Sequence, residues 1–331
     1  GPFSQSLGYL EKINIATISP HGLSQRINNL VSELNRETDI PKIAPEYYPI
    51  YPGFNKLLGT QLVQNTDWNI ELSSDADKAA QSGNYKQLTR IIIEAIKSFI
   101  PQKSLLSVVF VYLPSRWEKC FTDVNFDLHD QIKAIIAPLG IAIQIINDKS
   151  INNTCRANVM WGLSVATYAK AGGIPWKVEA INKDHAYVGL SYAMKVNENE
   201  GAQYTTCCSQ VYDPEGTGFE FIAFDTKEFT QDRQKNPYLS YNEMQAVMSQ
   251  SLKIYQDSHS GKIPKKIIVH KPTPFKDEEI EGCFDAFGHN TSVELVQIVQ
   301  HNNITGIRYD GKEYPARYPC KRGSYLPISD T

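Results

Sequence analysis

Residues 105–113 read LLSVVFVYL, a continuous apolar run. A strand with one wet face alternates apolar and polar residues. An unbroken run is expected where both faces are covered, as in the middle of a parallel sheet. Residues 13–18 (INIATI) and 141–146 (IAIQII) are read as buried strands too, with Gln144 the single polar residue of the second. Helical periodicity lies between and around these strands. Residues 22–35 carry Leu23, Ile27, Leu30, Val31 and Leu34 on one face. Residues 86–100 form an amphipathic helix ending at Pro101, and residues 127–137 a helix stopped by Pro138 and Gly140. Residues 158–171 form a further helix closed by Gly172-Gly173. Strands alternating with helices imply a parallel sheet flanked by helices.

The second half has a different order. Residues 186–196, 203–212 and 219–225 are three strands separated by short Asn-, Gly- and Pro-containing loops, the pattern of an antiparallel meander. Ser240-Tyr241-Asn242-Glu243 fits a helix-opening capping box, with Glu243 as the reciprocal partner. Met244, Val247, Met248, Leu252 and Tyr255 follow on one face. A strand at 266–270, a helix at 277–287 and a strand at 293–299 complete the order of an RNase H-like domain. The expected domains are 1–172 and 173–331, with the joint near 173–176.

Composition narrows the function. Of 331 residues, 41% are hydrophobic and 21% charged, a globular balance. No apolar run reaches the roughly 20 residues that a membrane span needs, and no basic segment leads into an apolar one at the start, so no secretory signal is read. The first residue is Gly1, so the chain is processed or trimmed. Cys120, Cys155, Cys207, Cys208, Cys283 and Cys320 form no CxxC pair, which argues against zinc and for reduced thiols in a cytoplasmic protein. The net charge of −3 lacks the basic excess usual in nucleic-acid binders. Residues 262–276, however, carry Lys262, Lys265, Lys266, Lys271 and Lys276 with no acid between them. Lysines along a strand edge also serve simply to discourage aggregation. Neither GxGxxG nor GxxxxGK[ST] occurs, which weighs against a nucleotide-binding α/β protein.

Several segments together resemble the short prokaryotic Argonautes. They are Gly1-Pro2-Phe3, Tyr51-Pro52-Gly53-Phe54, AKAGGIPWKV at 169–178, Val188-Gly189-Leu190-Ser191, IIVHK at 267–271, and Arg322-Gly323-Ser324-Tyr325-Leu326-Pro327. The resemblance implies a Rossmann-like MID domain followed by an RNase H-like PIWI domain. It also implies a continuation beyond the last segment, so that the PIWI domain is incomplete in this chain.

The same resemblance assigns His129, Lys133, Gln144 and Lys170 to a pocket for the 5′ phosphate of a small guide. His129 and Lys133, four apart, share a helix face, and a phosphate needs cations and oriented donors. It allows a magnesium ion at that phosphate. Active members hold two metal ions with carboxylates. Here the positions matched to two of them are Ser191 and Lys271, within one residue, so the nuclease site is expected to be inactive. Lys271, Lys266 and Arg322 are expected to lie along a nucleic-acid backbone. The implied role is to bind a guide, RNA in the first instance, and present it to complementary single-stranded DNA. The implied partner is an APAZ-domain effector with TIR, sirtuin-like or nuclease activity, in defence against phage or plasmids. The alternative readings are an active guide-dependent nuclease and a small-molecule or nucleotide-binding α/β protein.

Overall fold

The computed structural model describes residues 2–7, 10–39, 49–124, 126–180, 182–196, 203–226, 228–233, 236–299, 306–307, 309 and 324–327. The chain divides into two compact units, Gly1–Trp176 and Lys177–Thr331. No helix among the described residues is long and apolar enough to cross a membrane.

In the first unit the elements run β1 (Lys12–Ser19), α1 (Ser24–Leu34), α2 (Phe54–Leu58), β2 (Gln61–Glu71), α3 (Ser74–Gln81), α4 (Tyr85–Lys97), β3 (Val108–Leu113), β4 (Thr122–Asp123), β5 (Phe126–Asp127), α5 (Leu128–Ile136), β6 (Ile143–Asn147), α6 (Asp148–Asn152) and α7 (Arg156–Lys170). The sheet has the order β2-β1-β3-β6 and is parallel throughout. Every residue of β3 is buried. Its alternate side chains feed two cores. Val109, Val111 and Leu113 pack with α3, α4 and α5, while Val108, Phe110 and Tyr112 pack with α1, α2 and α7. That is the physical reason for the unbroken apolar run.

One polar network ties the helices to the sheet. Tyr112 on β3 donates to Asp148 at 2.5 Å, the Ser115 backbone N–H donates to the same carboxylate at 2.8 Å, and Arg26 of α1 donates to Tyr112 at 2.9 Å. Burial alone would raise the Asp148 pKa, but these hydrogen bonds and Arg26 outweigh it and hold the carboxyl below its ordinary 3.8. A carboxyl depressed on folding adds stability above its unfolded pKa and loses it as pH falls through the folded one. Asp148→Asn should therefore be less stable than wild type at pH 6, with the gap closing below about pH 4. Thermal melts from pH 6 down to pH 2.5 measure this, and a gap constant with pH would contradict it.

The second unit runs β7 (His185–Val196), β8 (Gln203–Tyr212), β9 (Gly218–Thr226), β10 (Phe229–Gln231), β11 (Pro237–Leu239), α8 (Tyr241–Ser258), β12 (Lys266–Lys271), α9 (Asp277–Phe287) and β13 (Ser292–Gln297). Its main sheet has the order β13-β12-β7-β8-β9. The β7-β8-β9 meander is antiparallel, and β12 and β13 add in parallel. One face carries Ala186, Val188, Leu190, Cys207, Val211, Ile267 and Val269 against Met244, Val247 and Met248 of α8 and Cys283 and Phe287 of α9. Ser240 caps α8 as expected, accepting from the Glu243 N–H. Glu243 does not complete the box: its carboxylate accepts from Thr226 Oγ1 at 2.9 Å instead.

Candidate nucleic-acid interface

The apolar face of α5, Leu128, Ile132 and Ile136, is buried. That packing turns the other face outward, with His129 and Lys133 one turn apart. Asp127 opens the helix, accepting from the Asp130 N–H at 3.0 Å. His129 Nδ1 bonds the Asp130 carboxylate at 2.9 Å. Asp127, His129 and Asp130 offer oxygens and a nitrogen within 4.8 Å of one another, all exposed. The surroundings of His129 are thus acidic.

Two of the other expected residues, Gln144 and Lys170, meet. Lys170 ends α7, and its ammonium donates to Gln144 Oε1 at 2.7 Å and to the Ile143 carbonyl at 2.8 Å. The Gln144 amide also donates to the Ile145 carbonyl at 2.9 Å. Burial pushes the Lys170 ammonium below its ordinary pKa, and the nearby charge of Lys133 pushes it the same way. Lys170 and Gln144 thus meet at the edge of the sheet, and the outward face of α5 that carries Lys133 lies near enough for its charge to act on Lys170. An anion placed there would relieve the repulsion between the lysines. Of these three side chains only Gln144 offers an oxygen, and that oxygen already accepts from Lys170. The group suits an anion and does not fit a magnesium ion, which needs oxygen ligands.

In the second unit two expectations require correction. Ser191 and Lys271 do not share a site. Parallel register pairs Gly189 with His270, so alternation puts Ser191 on the face where Tyr187 meets the His270 ring at 6.0 Å. Lys271 points to the opposite, helix-covered face with Ile267 and Val269. Ligands of one metal must converge, and these positions diverge. Nor does Lys271 reach a nucleic-acid backbone. It is 1% exposed and ion-paired with Glu279 of α9, and both side chains are fully buried. Tyr238 and Phe275 rings lie 4.8 Å from its nitrogen. Burial pushes its pKa down, and Glu279 acts in the opposite sense. Glu279 also accepts from the Leu239 and Lys276 N–H groups, each at 3.1 Å. Neither it nor the Arg26–Asp148 network was found from sequence, because their partners lie on other elements.

Two other lysines of the 262–276 stretch are matched by acids. Lys266 pairs with Glu294 of β13, and Lys265 with Asp184 at 2.7 Å. Lys266 is therefore engaged along the sheet. Arg322 lies outside the described residues.

No protein-family profile matches the sequence, and no curated protein matches it. Solved structures do match. The Argonaute of A. aeolicus superposes with a TM-score of 0.53 at 17% identity, over 91% of this chain and 36% of that one. Kluyveromyces polysporus Argonaute with a guide RNA gives 0.53 at 10% identity, over 92% of this chain and 34% of that one. The C-terminal lobe of a budding yeast Argonaute gives 0.52 at 11% identity, over 88% and 57%. The chain has the mixed α/β fold of the Argonaute C-terminal lobe, MID and PIWI. It spans about a third of the length of the first two proteins.

Proposed function

We propose that the chain binds the 5′-phosphorylated end of a small nucleic-acid guide and presents the guide to a complementary strand. The observation that carries this reading is the meeting of Lys170 with Gln144 on the edge strand β6, with Lys133 on the outward face of α5 as the second cation of the proposed pocket. A phosphate there would accept from both ammonium groups and from the amide, charge-assisted bonds worth more than neutral ones. Lys133 and Lys170 supply the charge and Gln144 fixes the orientation. His129, bonded to Asp130, contributes less. Specificity for the target then lies in base pairing, as the protein touches backbone and helix shape. The guide is RNA and the target single-stranded DNA in this reading, and the chain is the binding subunit of a short prokaryotic Argonaute defence system. Its partner is an APAZ-domain effector, switched on by target pairing.

The chain itself does not cut in this reading. Ser191 and His270, at the neighbouring strand positions of one face, are not carboxylates, and a two-metal nuclease needs acidic ligands.

The test is binding of a labelled guide RNA carrying a 5′ phosphate or a 5′ hydroxyl, to the chain with its partner. The phosphate should strengthen binding by about tenfold to a hundredfold, as expected for charge-assisted hydrogen bonds. Lys133→Ala or Lys170→Ala should abolish that preference while leaving the hydroxyl guide almost unaffected. Equal binding of both guides to wild type would remove the pocket. Cleavage of complementary DNA with manganese present would remove the non-cutting reading and favour an active nuclease.

A further inference from the structure

His129 carries a constraint that Lys133 and Lys170 do not. Its Nδ1 lies 2.9 Å from an Asp130 carboxylate oxygen, on a ring that is half exposed. An ionised carboxylate only accepts hydrogen bonds, so the proton of that bond belongs to Nδ1. A neutral imidazole has a single N–H. In the neutral ring, Nε2 is therefore a bare acceptor. A phosphate oxygen is an acceptor as well. Neutral His129 thus meets a phosphate with a lone pair, and only the imidazolium, protonated on both nitrogens, donates from Nε2.

Charge acts in the same direction. Carboxylate oxygens of Asp127 and Asp130 lie within 4.8 Å of a His129 ring nitrogen. A phosphate brought beside them is repelled unless a cation stands between, and the imidazolium is that cation. The other charges on this side are Lys133, one turn further along α5, and Lys170 of α7, close enough to feel the charge of Lys133. Lys86 of α4 and Asp123 of β4 line a groove with Gln131, which the helical repeat turns away from His129.

We infer that His129 is a pH-gated contact in the guide pocket: it engages the 5′ phosphate only as imidazolium, with Asp130 holding Nδ1 as its positioning residue. Recognition of the guide end then strengthens as pH falls through the range in which imidazoles gain their proton. The inference rests on the guide-binding reading and adds to it a regulation by pH.

The test titrates labelled guide RNA, with a 5′ phosphate or a 5′ hydroxyl, into the full chain and into His129→Gln, at about pH 8 and about pH 6, the two sides of imidazole titration. Glutamine keeps an N–H donor and has no proton to gain. The phosphate's second ionisation near pH 6 and the titration of Lys170 are common to both proteins. The readout is therefore the phosphate preference of wild type divided by that of the variant. This ratio should rise about three- to tenfold from high to low pH, the worth of one hydrogen bond gained. Calorimetry near neutral pH, in buffers of different ionisation enthalpy, supplies a second readout. Wild type should take up more protons on binding the phosphorylated guide than His129→Gln does. Asp130→Ala frees Nδ1 and lets the neutral ring carry its proton on Nε2, so it should take up fewer than wild type. A ratio that stays constant with pH, or equal proton uptake by wild type and His129→Gln, would overturn the inference while a persisting phosphate preference kept the pocket. Undiminished uptake by Asp130→Ala would overturn the role given to Asp130. No phosphate preference in wild type at either pH would remove the pocket and this inference with it.

Discussion

Replacing Lys271 by alanine is expected to destabilise the PIWI-like unit by about 3–5 kcal/mol, the range found when one partner of a buried ion pair is removed. The argument follows from burial. Lys271 and Glu279 are both wholly enclosed, with the ammonium ringed by Tyr192, Tyr238 and Phe275. Without the lysine, the Glu279 carboxylate stays in the core and keeps only the N–H groups of Leu239 and Lys276. For a unit of this size the melting temperature should fall by about 6–20 °C. The double variant Lys271→Met, Glu279→Gln should recover most of the loss. It restores volume and retains an acceptor for the two N–H groups, and a buried pair is often replaceable by neutral groups. Calorimetry on the three proteins decides it. A drop of under about 1 kcal/mol for Lys271→Ala would mean that the pair is not what holds β12 to α9.

The second large effect is expected at Gly282. It sits within α9, where alanine would normally gain about 1 kcal/mol over glycine. The crossing with α8 reverses that. A Cβ at Gly282 would stand 2.7 Å from the Tyr241 carbonyl oxygen, 3.1 Å from the Gln245 nitrogen and 3.1 Å from Met244 Cβ. Two of those atoms are backbone, so relief requires the helices to part. Tyr241 Oη, bonded to Asp285 at 2.8 Å, ties them at the same place. Gly282→Val should therefore cost about 3 kcal/mol, at the upper end for overpacking, and Gly282→Ala less. Denaturant unfolding gives both values. A valine variant as stable as wild type would show that the helices separate freely.

Sequence conveyed the central elements best. β3 was legible because burial on both faces leaves nothing but apolar residues. The order of β7 to β9, α8, β12, α9 and β13 was legible because its turns carry Gly, Pro and Asn, whereas the short strands β10 and β11 were not read. β2 was missed. Its sequence, QLVQNTDWNIE, has polar residues on an edge strand held by ladder bonds to β1, so neither alternation nor a continuous apolar run marks it. Among the site residues, Gln144 stood out as the lone polar side chain in IAIQII, but its meeting with Lys170 depends on how α7 packs. Lys271 misled for a related reason. A lysine at a strand end reads as surface, and the glutamate that makes burial possible lies on the next helix.

The MID-like sheet ends at β6, and an outermost strand invites another chain to pair with it. The Ala142 carbonyl points inward and accepts from Val109, so the carbonyls of Ile143 and Ile145 point outward. Lys170 covers the first and Gln144 the second. The side chains proposed to hold a phosphate therefore also shield a sticky margin of the sheet. An occupant that draws them away would bare those carbonyls, and the loaded and empty forms of the protein would differ in their tendency to self-associate.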